Sequence, residues 1–383
     1  NLYMVNGMKR YFFKMNSKQV KDYSIGIEEE YMICNTKTGN LTNKASVIMN
    51  HFNSNQRYSY ELLESEIEAN TSVHINIKDA INELSILRRN IAKLGKSKDF
   101  TLGISGTHPT ADPLEQTFVN NESYSWVQKQ LHYYAQRNMT FSTHVHINIP
   151  DFTNVISIMN SVRRWIAPLL AISANSPFFS KVNTGMKSSR TMQFSSFPRT
   201  NIPEKFSSLD KYVNYTNKLF DLNSIEKHRH IWWKIRPHLD YKTLEFRICD
   251  AQRSLKNVGM IAALSRALVH TAYQEYKNNI IIEDLSLEYL NDSLWKATRF
   301  NFDSLVYDEV LDQNLTMGNF IEKMCNYCDK SLSFFGDSHI IKQVNEILKN
   351  GTEGDEQVKI YEKGGFKKLK LYLINDVDYF IKE

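Results

Sequence analysis

The strongest constraint on the fold is an alternation that recurs in well-separated parts of the chain, with apolar residues at every second position and carboxylates, imidazoles or guanidinium groups between them. Ser24–Tyr31, SIGIEEEY, shows it first. On a strand, successive side chains point to opposite faces, so Glu28 and Glu30 project together while Ile25, Ile27 and Glu29 point the other way. Two neighbouring carboxylates repel, and one takes up a proton unless a cation lies between them. Mg²⁺ is the common solution where phosphate is handled. A solvated acidic turn is the competing reading of this octet. The same alternation makes Glu29→Gln the expected inert control for the pair.

The pattern returns at 61–77, where Glu64, Glu66 and Glu68 share a face with Asn70, Ser72 and His74; a helix is the rival there, because Glu64 and Glu68 also stand at i,i+4. It returns in Thr140–Ile149, with Val145, Ile147 and Ile149 on one face and His144, His146 and Asn148 on the other. It returns again at 242–249, where Leu244, Phe246 and Ile248 oppose Glu245 and Arg247, after a strand at 231–237. Between these segments, periodicity predicts a short helix over 44–52 and an amphipathic helix capped by Asp79 and buried through Ile81, Leu84, Leu87, Ile91 and Leu94. Further helices are predicted over 121–137, over 152–175 with Arg163 and Arg164 solvated, and over 255–272. The small residues of Ser105–Pro109 suit close approach of backbone to a ligand. Ser176–Phe206, long and basic, reads as a lid or binding loop, or else as an exposed excursion. The remainder to Glu383 is mostly helical, with a flexible loop at 351–366.

Composition removes several classes. The 383 residues are 42% hydrophobic, enough for a large core, and 47 basic against 42 acidic residues leave a charge of +5, too mild for a nucleic-acid partner. No uninterrupted apolar run approaches the roughly 20 residues that span a bilayer, and no signal-peptide pattern opens the sequence, so a cytoplasmic protein without membrane partners is expected. Four cysteines make no disulfide framework, and Cys325/Cys328 lack the second pair a zinc site needs. Residues 1–20 read as an arm or an appended remnant, and 21–383 as a single domain.

Apolar strand faces packed on helices leave a polar sheet face lining a cleft. Carboxylates from several strands suit hard divalent cations, and arginines suit phosphate oxygens. That is equipment for phosphoryl transfer, and with neither a P-loop nor a Rossmann turn in the sequence the nucleotide must be held another way.

GIEEEY at 26–31, SGTHP at 105–109, THVHIN at 143–148, SSR at 188–190, IRP at 235–237 and LEFRICD at 244–250 resemble, in that order, the carboxylate-amine ligases of the glutamate–cysteine ligase type 2 group. The resemblance spans about 24–275 and leaves the helical part, 276–383, without a motif. It implies an α+β, glutamine-synthetase-like fold: a curved antiparallel sheet forming a cup, with helices on its outer face. It implies ATP and two or three Mg²⁺ ions, and activation of a carboxylate, typically the γ-carboxylate of glutamate, as an acyl phosphate that an amine attacks. By motif position, Glu28, Glu30, Glu68, His146 and Glu245 are the implied metal ligands. Arg247 and Arg190 are the implied catalytic and phosphate-contacting arginines beside Glu30, with Arg236 and His108 also on the nucleotide side. The implied partners are small-molecule amino acid and amine substrates, with a homodimer allowed.

Two positions depart from the pattern. Ser123 stands where relatives often carry arginine, and Lys234 where they can carry an acid. Both leave the metal set intact and bear on the substrate. Two alternatives stay open: a phosphotransferase that needs no amine, and a nucleotide-binding regulatory protein without turnover.

Overall fold

The computed structural model describes residues 2–5, 8–11, 21–53 and 55–381. Its main sheet has seven strands: β1 (Ile25–Cys34), β2 (Tyr58–Tyr60), β3 (Glu66–Asn70), β4 (Thr101–Gly103), β5 (Thr143–Asn148), β6 (Ile235–His238) and β7 (Thr243–Phe246). Across the sheet the order is β6-β7-β5-β1-β3-β2, with β4 beside the far end of β1, and every pairing is antiparallel.

Register does the organising. Glu28 lies opposite both His144 and Asn70, Glu30 opposite Glu68, and Glu245 opposite both His146 and Arg236. The polar residues of five strands therefore form cross-strand rows on one face. On the reverse face Ile25, Ile27, Val145, Ile147, Leu244 and Phe246 are buried. They pack against the helices Val155–Val162 and Leu255–Lys277. Burial of each such side chain is worth about 1.5–3 kcal/mol. A one-residue slip of any strand would exchange the faces, so the core fixes the register that the site needs.

The helix Ile77–Lys98 buries the predicted stripe, but its cap is Asn76, whose side chain accepts from Asp79 N; Asp79 sits in the first turn, where its charge favours the helix dipole. The expected 61–77 strand shortens to β3, because Glu64 turns away to accept from Ser46 N at 3.1 Å, at the start of the helix Ala45–His51. Arg163 is not solvated. A tight turn at Arg163–Trp165 divides the expected long helix and buries this side chain, which donates to the carbonyls of Asn160, Pro203 and Glu283. Arg164 pairs with Asp308 at 2.6 Å. The span Phe152–Ser173 is long and apolar enough to cross a membrane by composition, yet 89% of its apolar 18-residue window is buried inside the protein.

Two expected loops are ordered. Residues 176–206 hold a small hairpin, Phe178–Phe179 with Val182–Asn183, and a helix, Ser189–Phe194, that buries Ser189, Arg190 and Thr191. Residues 353–375 are a helix kinked at Gly364 and Gly365 rather than a flexible loop, because Glu353 at its start accepts from Asn175, Arg253, Ser254 and Asn257. A hairpin of Leu305–Asp308 and Gln313–Thr316 interrupts the C-terminal helices, and Cys325 and Cys328 are buried in the core. Within the N-terminal arm, Leu2–Val5 pairs with Met8–Tyr11; the rest of that arm lies outside the described residues.

Candidate active site

The polar face of the sheet floors a cleft of about 770 Å³. Glu28, Glu30, Glu68, His146, Glu245, Arg236 and Arg247 all line it, so seven of the nine residues singled out by motif meet in one cavity. Glu61 and His144 join them there.

The acids and histidines fall into three overlapping groups, Glu28–His146–Glu245, Glu28–Glu68–His144 and Glu30–Glu61–Glu68, each offering ligand atoms within 4.8 Å of one another. Glu28 and Glu68 are shared between groups, as bridging carboxylates would be. His146 gives the sharpest test of whether cations fit. Its Nδ1 is held by Thr243 Oγ1 at 2.9 Å. Its Nε2 is buried and, among the described residues, makes no well-aligned hydrogen bond; it faces Glu28 Oε1 at 3.2 Å and Glu245 Oε1 at 3.8 Å. One ring nitrogen fixed by a hydroxyl and the other turned towards carboxylates is the arrangement of a metal-ligating histidine. Electrostatics agree. Burial and then Glu28 and Glu30 push the Glu68 carboxyl up to about 8, and burial with Glu68 and Glu30 pushes Glu61 well above the usual range. These acids oppose one another's ionisation, which hard divalent cations with oxygen ligands would relieve.

The other end of the face is compensated. Burial alone would raise Glu245, but Arg236 and Arg247 outweigh it and hold the carboxyl well below its ordinary range. Arg236 bonds one oxygen at 2.6 Å and Arg247 the other at 2.5 Å. Glu245 is buried, flanked on the neighbouring strands by Arg236 and His146. A chain of contacts links the two ends: Glu30 Oε2 accepts from Ser142 Oγ at 2.5 Å, Ser142 Oγ contacts His144 Nε2 at 2.7 Å, and His144 Nδ1 faces Glu28 at 3.3 Å.

Arg190 and His108 stand apart from the cleft floor. Arg190 lines a side chamber, but its guanidinium donates to the carbonyls of Ile248 and Arg247 at 3.0 and 2.9 Å, propping the backbone that carries Arg247. His108 is buried away from the cleft, with Nε2 on the Gly39 carbonyl and Nδ1 accepting from Ala111 N. The 105–109 loop serves Asp250 instead of a ligand: a Cβ on Gly106 would lie 2.6 Å from the Asp250 carboxyl carbon. Asp250 accepts from Asn175 N, Ser176 Oγ and Ser188 Oγ at 2.6–2.9 Å. Four of the six motifs thus line the cleft, and the other two, with Asp250 from the end of the last, build the hub behind it.

Glu61 was hidden from the sequence reading because it precedes β3, off the strand's alternation; only the local density of acids signalled it. His144 was on the polar face but carried no group partner until register placed it opposite Glu28.

Known proteins resemble the chain in sequence and in fold. The model of glutamate–cysteine ligase family 2 matches residues 24–370. A protein of Solibacter usitatus named as a glutamate–cysteine ligase 2 is 33% identical over 93% of this chain and 94% of its own length. One of the same name from Herpetosiphon aurantiacus is 31% identical over 90% of each. Among solved structures, the glutamate–cysteine ligase of Francisella tularensis, in complex with AMP, shares the fold with a TM-score of 0.70 at 11% identity, covering 92% of this chain and 88% of that one. A bifunctional glutathione synthetase from Pasteurella multocida gives 0.66 at 14% identity, covering 92% of this chain and 52% of that one. The chain belongs to glutamate–cysteine ligase family 2 and is an ATP-dependent ligase of the class that joins carbon to nitrogen.

Proposed function

We propose that this ligase activates the carboxylate of an amino acid, glutamate or a close relative, as an acyl phosphate, and passes it to an amine. The observation that carries the reading is the set of three overlapping ligand groups laid beside the Glu245-bound arginines on one sheet face. Glu28, Glu30, Glu61, Glu68, His144, His146 and Glu245 would hold two or three Mg²⁺ ions. When bound, those ions supply charge neutralisation and orientation for the phosphate oxygens of ATP.

The chain's own groups do the rest. Arg247, adjoining both the cleft and its side chamber, is placed to stabilise charge on the transferring phosphoryl group, with Arg236 holding Glu245 in register. An oxygen of the acid attacks the γ-phosphorus and ADP leaves; the amine nitrogen then attacks the acyl carbon, phosphate leaves and the nitrogen loses a proton. The same reading takes the sheet as a glutamine-synthetase-like cup, 21–383 as one catalytic domain, and the cytoplasm as its compartment, with neither nucleic acid nor membrane as partner.

ADP release measured with a panel of amino acids, with and without amines, tests it. Release that requires both an acid and an amine is expected. Release with acid alone, leaving a phosphorylated product, would assign a phosphotransferase, and no stimulation by any pair would remove the reading.

A further inference from the structure

The side chamber beside Arg247 has an apolar wall. Leu62, Phe194 and Phe197 line the chamber and not the main cleft, and Val127 and Trp232 line both. The rings form one cluster, with Phe194 5.3 Å from Phe197 and Phe197 5.4 Å from Trp232 between centroids. Phe194 ends the helix Ser189–Phe194, so the long 176–206 segment, which the sequence marks as a lid or binding loop, supplies part of this wall.

The polar groups of the chamber are already engaged. Arg190 lies 3.7 Å from Asp250, and Arg247 is paired with Glu245 at 2.5 Å. Thr140 Oγ1 donates to Asn138 Oδ1 at 2.8 Å, and Ser142 Oγ donates to Glu30 Oε2 at 2.5 Å. An ion set against the rings would lose its hydration without gaining a partner, whereas an apolar group gains by leaving water.

Size and position narrow the occupant further. The chamber measures about 90 Å³. That is about three waters' worth, room for about two or three non-hydrogen atoms. It opens to the main cleft beside Glu30, His144 and Arg247, where the acyl phosphate of the proposed reaction would form. ATP offers phosphates and a base too large for this space, and an acid of the glutamate kind is charged at both ends. The amine remains.

We propose that the side chamber receives the side chain of the amine substrate, that Phe194 sets the length it admits, and that this amine carries an apolar chain of about two or three non-hydrogen atoms. The assignment rests on the ligase reading for its place in the reaction.

The test uses the full chain and a linear series of amines: glycine, L-alanine, L-2-aminobutanoate, L-norvaline and L-norleucine, each one carbon longer than the last. With L-glutamate as the acid, kcat/KM for amine-dependent ADP release is expected to peak at L-2-aminobutanoate or L-norvaline and to fall about tenfold or more at L-norleucine, since one methylene in an apolar pocket is worth about 10- to 200-fold. L-Serine, close to L-2-aminobutanoate in shape, should fall below it by about tenfold or more. Phe194→Ala should move the peak to a longer member and Phe194→Trp to a shorter one, with the preference for L-glutamate over L-2-aminoadipate kept within about twofold. A preference that shifts between the two acids instead would give the chamber to the acid and overturn the assignment. An unmoved peak, equal rates across the series, or L-serine equal to L-2-aminobutanoate would overturn it as well. Should Phe194→Ala fail to fold, Phe194→Trp decides alone. ADP release with acid alone, whatever the amine, would remove the ligase reading. Calorimetric titration with the same series then separates the two: length-dependent binding that Phe194→Trp shifts leaves the pocket standing, and binding without that dependence removes it too.

Discussion

The two faces of β1 carry the same residue in opposite circumstances. On the cleft face Glu28 and Glu30 look into a crowd of acids, where Glu61 and Glu68 are pushed towards protonation. On the reverse face Glu29 is 1% exposed and bonded to Arg88 at 2.7 and 3.0 Å, with Tyr31 donating to it as well. Arg88 spends its remaining donors on the carbonyls of Gln252, Arg253 and Asp378. A carboxylate satisfied in the apoprotein contributes to the fold. Carboxylates crowded against one another weaken it and await a cation.

The largest effect is expected on the satisfied face. Glu29→Gln strands Arg88 in the core and should cost about 3–5 kcal/mol in urea unfolding, since an uncompensated buried charge is left behind. Glu29→Leu with Arg88→Met should recover only part of that, because three backbone carbonyls lose their donor. Stability equal to wild type in the single variant would break the contrast.

Glu30→Gln should reverse the pattern, lowering kcat about 10²–10³-fold while leaving the melting temperature unchanged or higher. Mg²⁺ added to the wild-type chain should stabilise it by up to about 2.7 kcal/mol at 100 times its dissociation constant, with little effect on Glu28→Gln/Glu68→Gln, and chelation should abolish ADP release. A smaller, positional effect is expected at Arg190→Lys: kcat falls about tenfold with KM for ATP held, since one ammonium cannot span two carbonyls. A raised KM for ATP with kcat kept would place Arg190 on the nucleotide instead.

His108→Gln, far from the cleft, should leave activity within about twofold and change only acid sensitivity. Burial lowers the His108 imidazole to about 4 from 6.5, so the unfolded chain binds its proton more tightly. Stability from this group is whole above pH 6.5 and lost as pH falls towards 4, and His108→Gln should flatten that stretch of the curve.

Alternation made the faces legible, because a strand's period of two is stated directly by its residues. It placed Glu28, Glu30, His146 and Glu245 correctly and separated Glu29 from them. It did not show that Glu29 has a partner, since Arg88 lies 59 residues away on a helix whose stripe reads as purely apolar. Arg163 was missed for the same reason: its acceptors lie on chain segments that only the tertiary fold assembles. His108 and Arg190 sit in motifs, and a motif does not distinguish a residue that touches ligand from one that holds its neighbour.

The start of the helix at Glu353 has a consequence for synthesis on the ribosome. Every group proposed to handle substrate lies before Asp250, yet Glu353 and Gln357 close the hydrogen bonds around Asn175, whose backbone N–H engages Asp250 and so the brace of Arg190. A nascent chain could form β1 to β7 and still lack a fixed phosphate end until that last helix emerges. A competent catalyst is thereby expected only once the helix at Glu353 has been made, and a chain cut before that helix would keep the acids of the sheet in place while losing the bonds that fix Asn175 and, through Asp250, Arg190.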